Sequence, residues 1–245
     1  MIRVLFTLFI IFCISYGFLF LHHLVLARYK FKFDESALLM FFGLPGSGKS
    51  TVCAEIVRQL TSAWKDFKNR ISIFCNFPVR GANRLDRSMI GSVDFCGEND
   101  RALLLLDEAS TVYFKRNAMQ KGKDGKLQFS DAENQFHSMH RHYHTMEVCF
   151  AQSWDGVDIR LRELSTGLFY VEKSRIRGFI KIRKIGKIFT INEDHQPIDG
   201  YDFVKWSSRY VWAPRSWKLF DTYNAPVLPA VVPDPWYKSD VVDDG

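Results

Sequence analysis

The chain has 245 residues, 47% hydrophobic and 24% charged, with a formal net charge of +6. This is an ordinary globular balance with room for one sizeable core and an appendage, and the positive charge permits an acidic partner without demonstrating one. Its cysteines (Cys13, Cys53, Cys75, Cys96 and Cys149) are odd in number and widely spaced, with no C-x-x-C pair. That argues against a disulfide framework or zinc site and for reduced thiols in a cytosolic body.

The chain opens on a greasy run. Residues 4–20 carry no charge, and 21–27 extend the apolar character past His22 and His23. About twenty such residues cross a bilayer's hydrocarbon as a helix. The run is longer than a signal-peptide core, no small-x-small cleavage site precedes RYKFKF, and there is no polar face of the kind a core helix carries. A transmembrane anchor over 1–30 is expected. Arg28, Lys30 and Lys32 follow the run while only Arg3 precedes it, which places the rest of the chain on the cytoplasmic side.

Next comes GLPGSGKS, which fits G-x-x-x-x-G-K-[ST] from Gly43 through Leu44, Pro45, Gly46, Ser47, Gly48 and Lys49 to Ser50. ALLMFF before it reads as a buried strand, and STVCAEIVRQL after it as an amphipathic helix, which is the context the motif requires. The glycines let backbone N–H groups curl around phosphate oxygens at the positive end of the helix. Lys49 then reaches the β- and γ-phosphates of ATP, Ser50 ligates Mg²⁺, and Thr51 caps the helix or touches phosphate.

RALLLLDEAS supplies the acidic partner: four leucines read as a buried parallel strand closing on Asp107 and Glu108. Asp107 is expected to hold Mg²⁺, directly or through water. Glu108 is expected to orient or deprotonate the attacking water, or else to be a solvated helix-start carboxylate. In MEVCFAQS, Gln152 falls at a strand's carboxyl end, where open α/β sheets place ligand groups, and can sense the γ-phosphate or lie free on the surface. Arg162, with Arg160 as competitor, can act as a finger on a neighbouring subunit's nucleotide.

The P-loop, LLLLDEA, HRHYHTMEVCFAQSWDGVDIRLRE, FYVEKS and KLFDTYN occur in this order between residues 37 and 224. Together they resemble the zonula occludens toxin (Zot) family, whose phage members are the assembly and export ATPases of filamentous phages. The family's H/S-R-H/K segment falls on His140, Arg141 and His142, its strand-end Gln on Gln152 and its following Arg on Arg162. Its closing Y/F-D-T falls on Phe220, Asp221 and Thr222. The resemblance implies a homo-oligomeric ATPase, single-pass in the host inner membrane, that drives extrusion of single-stranded DNA virions. Its implied partners are the phage DNA complex or its coat and DNA-binding proteins, and an outer-membrane export partner. The better-known phage members carry the ATPase first and the membrane segment after it. Here the apolar run comes first, so properties of their extracytoplasmic tail do not transfer.

His137, His140 and His144 would share a helix face, but no cysteine or acidic residue at suitable spacing completes a metal site. KSRIRGFIKIRKIGKIFTI alternates basic and apolar residues and suggests β-hairpins around Gly178 and Gly186. Lys173, Arg175, Arg177, Lys181, Arg183, Lys184 and Lys187 would form one basic face, either solvated or set against phosphates of DNA or lipid. Residues 115–128 read as a polar loop, and 225–245 as a Pro-rich flexible tail.

The expected architecture is α/β: a P-loop NTPase with a mostly parallel doubly wound sheet over 35–224, an N-terminal transmembrane helix and a small β-hairpin extension. Two functions remain open. One is a membrane-anchored motor that hydrolyses ATP; the other is a nucleotide-gated membrane scaffold that recruits partners with little turnover. A cytosolic kinase is poorly served by the anchor.

Overall fold

The computed structural model describes residues 2–27, 30–62, 71–97, 99–109, 130–191 and 197–220. Arg28, the loop expected at 115–128, Asp221, Thr222 and the tail expected at 225–245 lie outside the described residues, as does the side chain of Lys187.

One nine-stranded sheet organises the chain, with strands ordered β3-β2-β4-β5-β1-β6-β7-β8 and β9 also on β7. The parallel part comprises β1 (Leu38–Phe42), β2 (Ile71–Cys75), β3 (Asn83–Arg84), β4 (Arg101–Leu106), β5 (Thr145–Ala151) and β6 (Gly167–Lys173). The antiparallel part adds β7 (Phe179–Ile191), β8 (Pro197–Phe203) and β9 (Arg209–Trp212).

The parallel strands are apolar on both faces because both faces are covered. Phe41, Leu103, Leu105, Val148 and Phe150 pack with Val52, Ile56 and Val57 of α2 (Lys49–Ser62). Leu38, Met40, Phe42, Leu104, Leu106 and Cys149 face the other layer. There they meet Phe136 of α3 (Asp131–Met139) and Leu161 of α4 (Ile159–Leu164). Alternate residues of one strand thus serve two cores, and the sheet is doubly wound as expected. α3 starts on a capping box: Ser130 accepts from the Glu133 amide while Glu133 accepts from the Ser130 amide. Glu133 is further fixed by Arg87 at 2.6 Å.

The basic alternating stretch folds differently from the expectation in two respects. Gly178, at φ +88°, does turn the chain between β6 and β7. Gly186 does not; it lies inside β7, paired with Asp202 of β8. β6 meets β7 only from Ile185 back to Ile180, so the far half of β7 runs on with β8 as a two-stranded arm. Nor do the basic residues form the one face expected: Lys173 and Lys184 alternate to the side opposite Lys181 and Arg183. Glu172 takes Lys181 at 3.2 Å and Arg183 at 3.1 Å, and the Arg183 guanidinium lies 3.5 Å over the Phe203 ring.

α1 (Ile2–Leu26) is a single apolar helix. Residues Arg3–Leu26, with mean hydropathy 2.6, are long and apolar enough to cross a membrane. Most of its side chains are exposed, but its last turns dock on β7 and β9. Phe20 meets Phe179 and Trp212 edge-on, and buried His23 packs on Tyr210 with ring centroids 4.4 Å apart. Farther on, the Phe31 amide donates to Gln59 of α2. Gln59 in turn donates to Glu55, which also takes the Ser216 hydroxyl at 2.6 Å. Burial works against the Glu55 charge, but hydrogen bonds from Arg58, Ser216 and Gln59 outweigh it and hold the carboxyl below its ordinary range.

Candidate functional site

The site assembles at the carboxyl ends of β1, β4 and β5, where open α/β sheets place their ligands. The GLPGSGKS segment links β1 to α2, as expected. Its conformation depends on close approach. A Cβ on Gly43 would fall 2.4 Å from the Val171 carbonyl oxygen, and one on Gly48 would fall 2.5 Å from Ile180 Cδ1. Gly48 also sits at φ +103°, which side chains other than hydrogen rarely adopt. The buried Lys49 ammonium donates to the Gly43 carbonyl at 2.9 Å and the Leu44 carbonyl at 3.2 Å, which holds it across the loop. Ser47 Oγ is buried with no hydrogen-bond partner, a polar atom suited to a phosphate oxygen. Thr51 follows Ser50 in the first turn of α2 and is buried.

Strand order explains how distant residues meet. β5 lies between β1 and β4, so Asp107 and Glu108 just beyond β4 come beside Gln152 just beyond β5. Ser50 Oγ donates to Asp107 Oδ2 at 2.7 Å, joining the phosphate loop to the acidic strand. Burial pushes the Asp107 carboxyl above its ordinary range. The Ser50 hydroxyl, the Glu108 amide and the Lys49 charge oppose that rise, while the Glu108 charge adds to it. A half-buried carboxylate beside a hydroxyl is a hard-oxygen donor set of the kind Mg²⁺ prefers, and the residues present fit that ion.

Glu108 takes a left-handed backbone at φ 51°, uncommon for a side-chain-bearing residue, and aims its carboxylate at Gln152. Gln152 Nε2 donates to it at 3.1 and 3.3 Å. The structure therefore brings Lys49, Ser50, Asp107, Glu108 and Gln152 together. Arg162 is elsewhere, on α4 in the layer opposite α2. Its guanidinium stacks 5.3 Å over Trp154, Nη1 lies 3.6 Å from Asp155, and the buried Nε has no hydrogen-bond partner. Arg160 pairs with Asp158 at 3.0 Å.

Asn76 escaped the sequence reading. Its side chain clamps the Asp107 backbone twice, accepting from the amide and donating to the carbonyl, both at 2.7 Å. A signal was present: Asn76 follows the apolar ISIFC strand just as Asp107 follows the four leucines. A groove of about 740 Å³ beside β2 and β3 is lined by Asn76, Phe77, Arg80, Arg84, Lys218 and Phe220 among others, and it contains no phosphate-loop residue. The histidines part company. His137 pairs with buried Glu147 at 2.6 Å, His140 Nδ1 faces the His137 carbonyl at 2.8 Å, and His144 pairs with Glu35 at 2.8 Å. Phe220 bridges to Val79 at the groove's rim and meets Phe77 edge-on.

No protein-family model matches the chain, and no curated protein matches it. Among solved structures, the N-terminal domain of zonular occludens toxin from Neisseria meningitidis aligns over 77% of this chain and 100% of that one, with TM-score 0.51 and 16% identity. This chain shares that domain's fold. The motif order and the sheet thus agree on a Zot-like P-loop architecture. Weaker likenesses extend to the genome packaging NTPase B204 from Sulfolobus turreted icosahedral virus 2, in complex with ATP-gammaS (TM-score 0.40, 11% identity, 68% of this chain and 98% of that one). They include the flagellar accessory protein FlaH from Methanocaldococcus jannaschii (TM-score 0.42, 10% identity, 69% and 90%).

Proposed function

We propose that this chain is a membrane-anchored ATPase whose hydrolysis of ATP drives assembly and extrusion of single-stranded DNA virions through a host inner membrane. The observation that carries the ATPase part is the Ser50–Asp107 contact at 2.7 Å, with Lys49 in the adjoining loop. The extrusion part comes from the motif resemblance and from α1.

In this reading the loop amides and Lys49 hold the β- and γ-phosphates, and Ser50 and Asp107 hold Mg²⁺. When bound, that ion would offset the negative charge of the β- and γ-phosphates. Water attacks the γ-phosphorus, the bond to the β–γ bridging oxygen breaks, and the water's proton passes to Glu108. Gln152 sets the Glu108 carboxylate and contacts the γ-phosphate. Arg162 acts on the nucleotide of a neighbouring copy, which makes the working unit a homo-oligomer. Lys30 and Lys32 keep the engine on the cytoplasmic side of α1, where ATP is. The phage DNA complex or its coat and DNA-binding proteins, with an outer-membrane export partner, are its proposed cargo and path.

A second reading, the nucleotide-gated scaffold, is favoured by one observation: Gln152 already engages both oxygens of Glu108. Phosphate release by purified full-length protein separates the two. The motor reading expects turnover that Glu108→Gln lowers at least about 100-fold. Equal release by wild type and variant leaves only the scaffold.

A further inference from the structure

We propose that Lys173 is a second cation for the nucleotide's phosphates, supplied within the same chain by the β6–β7 hairpin. The proposal deepens the ATPase reading above and rests on it. The hairpin forms a wall of the phosphate loop. Gly43 abuts the Val171 carbonyl and Gly48 abuts Ile180, while the position of a Cβ on Gly46 lies 3.9 Å from Lys173 Nζ.

Register places these residues. Val171 and Lys173 are two apart on β6, so their side chains share a face, and Lys173 stands directly opposite Ile180 on β7. Ile180 packs on Gly48, so the backbone of its cross-strand partner is held beside the loop as well. The neighbouring acid does not draw Lys173 away. Glu172 is one residue off, points to the opposite face and pairs with Lys181 and Arg183. Among the described residues Lys173 has no salt-bridge partner.

Gly46 is an exposed part of a loop whose amides face phosphate oxygens. An ammonium this close to it lies within hydrogen-bonding reach of a phosphate seated there, and attraction grows with the charge of the phosphate chain. Lys173 therefore favours the triphosphate over the diphosphate.

The test measures binding of fluorescent ATP and ADP analogues, with Mg²⁺, to full-length protein in detergent. Lys173→Ala is expected to weaken ATP about 5- to 10-fold and ADP about 2-fold or less, with Lys173→Arg restoring the ATP affinity. Lys181→Ala, on the other face of the same hairpin, is expected to bind like wild type. Unchanged ATP affinity in Lys173→Ala overturns the proposal while leaving the ATPase reading intact. An equal loss in Lys181→Ala also overturns it, because bulk charge then explains the effect. If wild type binds neither nucleotide, or Lys49→Ala binds as wild type does, the ATPase reading falls and this proposal falls with it.

Discussion

The two halves of the sheet are built on different rules. In the parallel half, β4 and β5 are buried on both faces and end abruptly in polar residues: Asp107 and Glu108 after one strand, Gln152 after the other. In the antiparallel half, β6 and β7 are mixed basic and apolar, and Lys181 and Arg183 are spent on pairs with Glu172. The first half aims functional groups by having nowhere else to put them. The second supplies a wall for the phosphate loop through Ile180 and a dock for α1 through Phe179 and Trp212. The loop and α1 therefore lean on neighbouring residues of one strand.

The sharpest separation of the halves is Lys49→Ala. It removes the loop's own cation and should cut ATP turnover by about 100-fold or more, with the docking of α1 untouched. Phosphate release, together with protease protection of the 20–31 segment, checks both parts. Gly48→Ala attacks the joint between the halves, because the added methyl meets Ile180 and the residue must hold φ +103°. It should destabilise the protein by roughly 1–3 kcal/mol and weaken nucleotide binding. Adding Ile180→Val removes the Cδ1 nearest the new methyl, so the double variant should lose less melting temperature than the sum of the two single losses.

Glu55→Gln tests the polar tie between α2, the Ser216 turn and the segment after α1. It should cost about 1–3 kcal/mol at neutral pH. The folded protein holds the Glu55 carboxyl below its ordinary range, so the charge contributes stability above the unfolded value of about 4.3. That contribution fades as pH falls below that value and through the lowered one. Melting curves of wild type and variant should therefore converge in acid; a gap that widens there would contradict the assignment. The smallest effect has the opposite sign. Asp107 is a carboxylate held against its burial, so Asp107→Asn should raise the melting temperature of nucleotide-free protein by a few degrees while abolishing turnover.

What the sequence discloses follows the same divide. The phosphate loop, α2 and the Asp107–Glu108 pair are legible because each rests on a local pattern, an apolar run broken by glycine or acid. Gln152 is legible as a strand end, but its contact with Glu108 requires β5 to lie between β1 and β4, and strand order is not local. Asn76 carries the same strand-end signature on a strand whose place beside β4 emerges only on folding. Lys173 looked like one cation among many, and only the β6–β7 register separates it from Lys181. Gly186 was misplaced because a glycine between alternating residues resembles a turn. Pairing with β8 holds it inside a long strand instead.

The account stands most directly on where a triphosphate sits. A crystal structure with Mg²⁺ and a non-hydrolysable ATP analogue is expected to show phosphates on the amides of residues 46–51, the ion between Ser50 and Asp107, and the terminal phosphate facing Glu108 and Gln152. Phosphates seated instead in the groove beside Arg80 and Arg84, with Lys49 still bonded to Gly43 and Leu44, would contradict it.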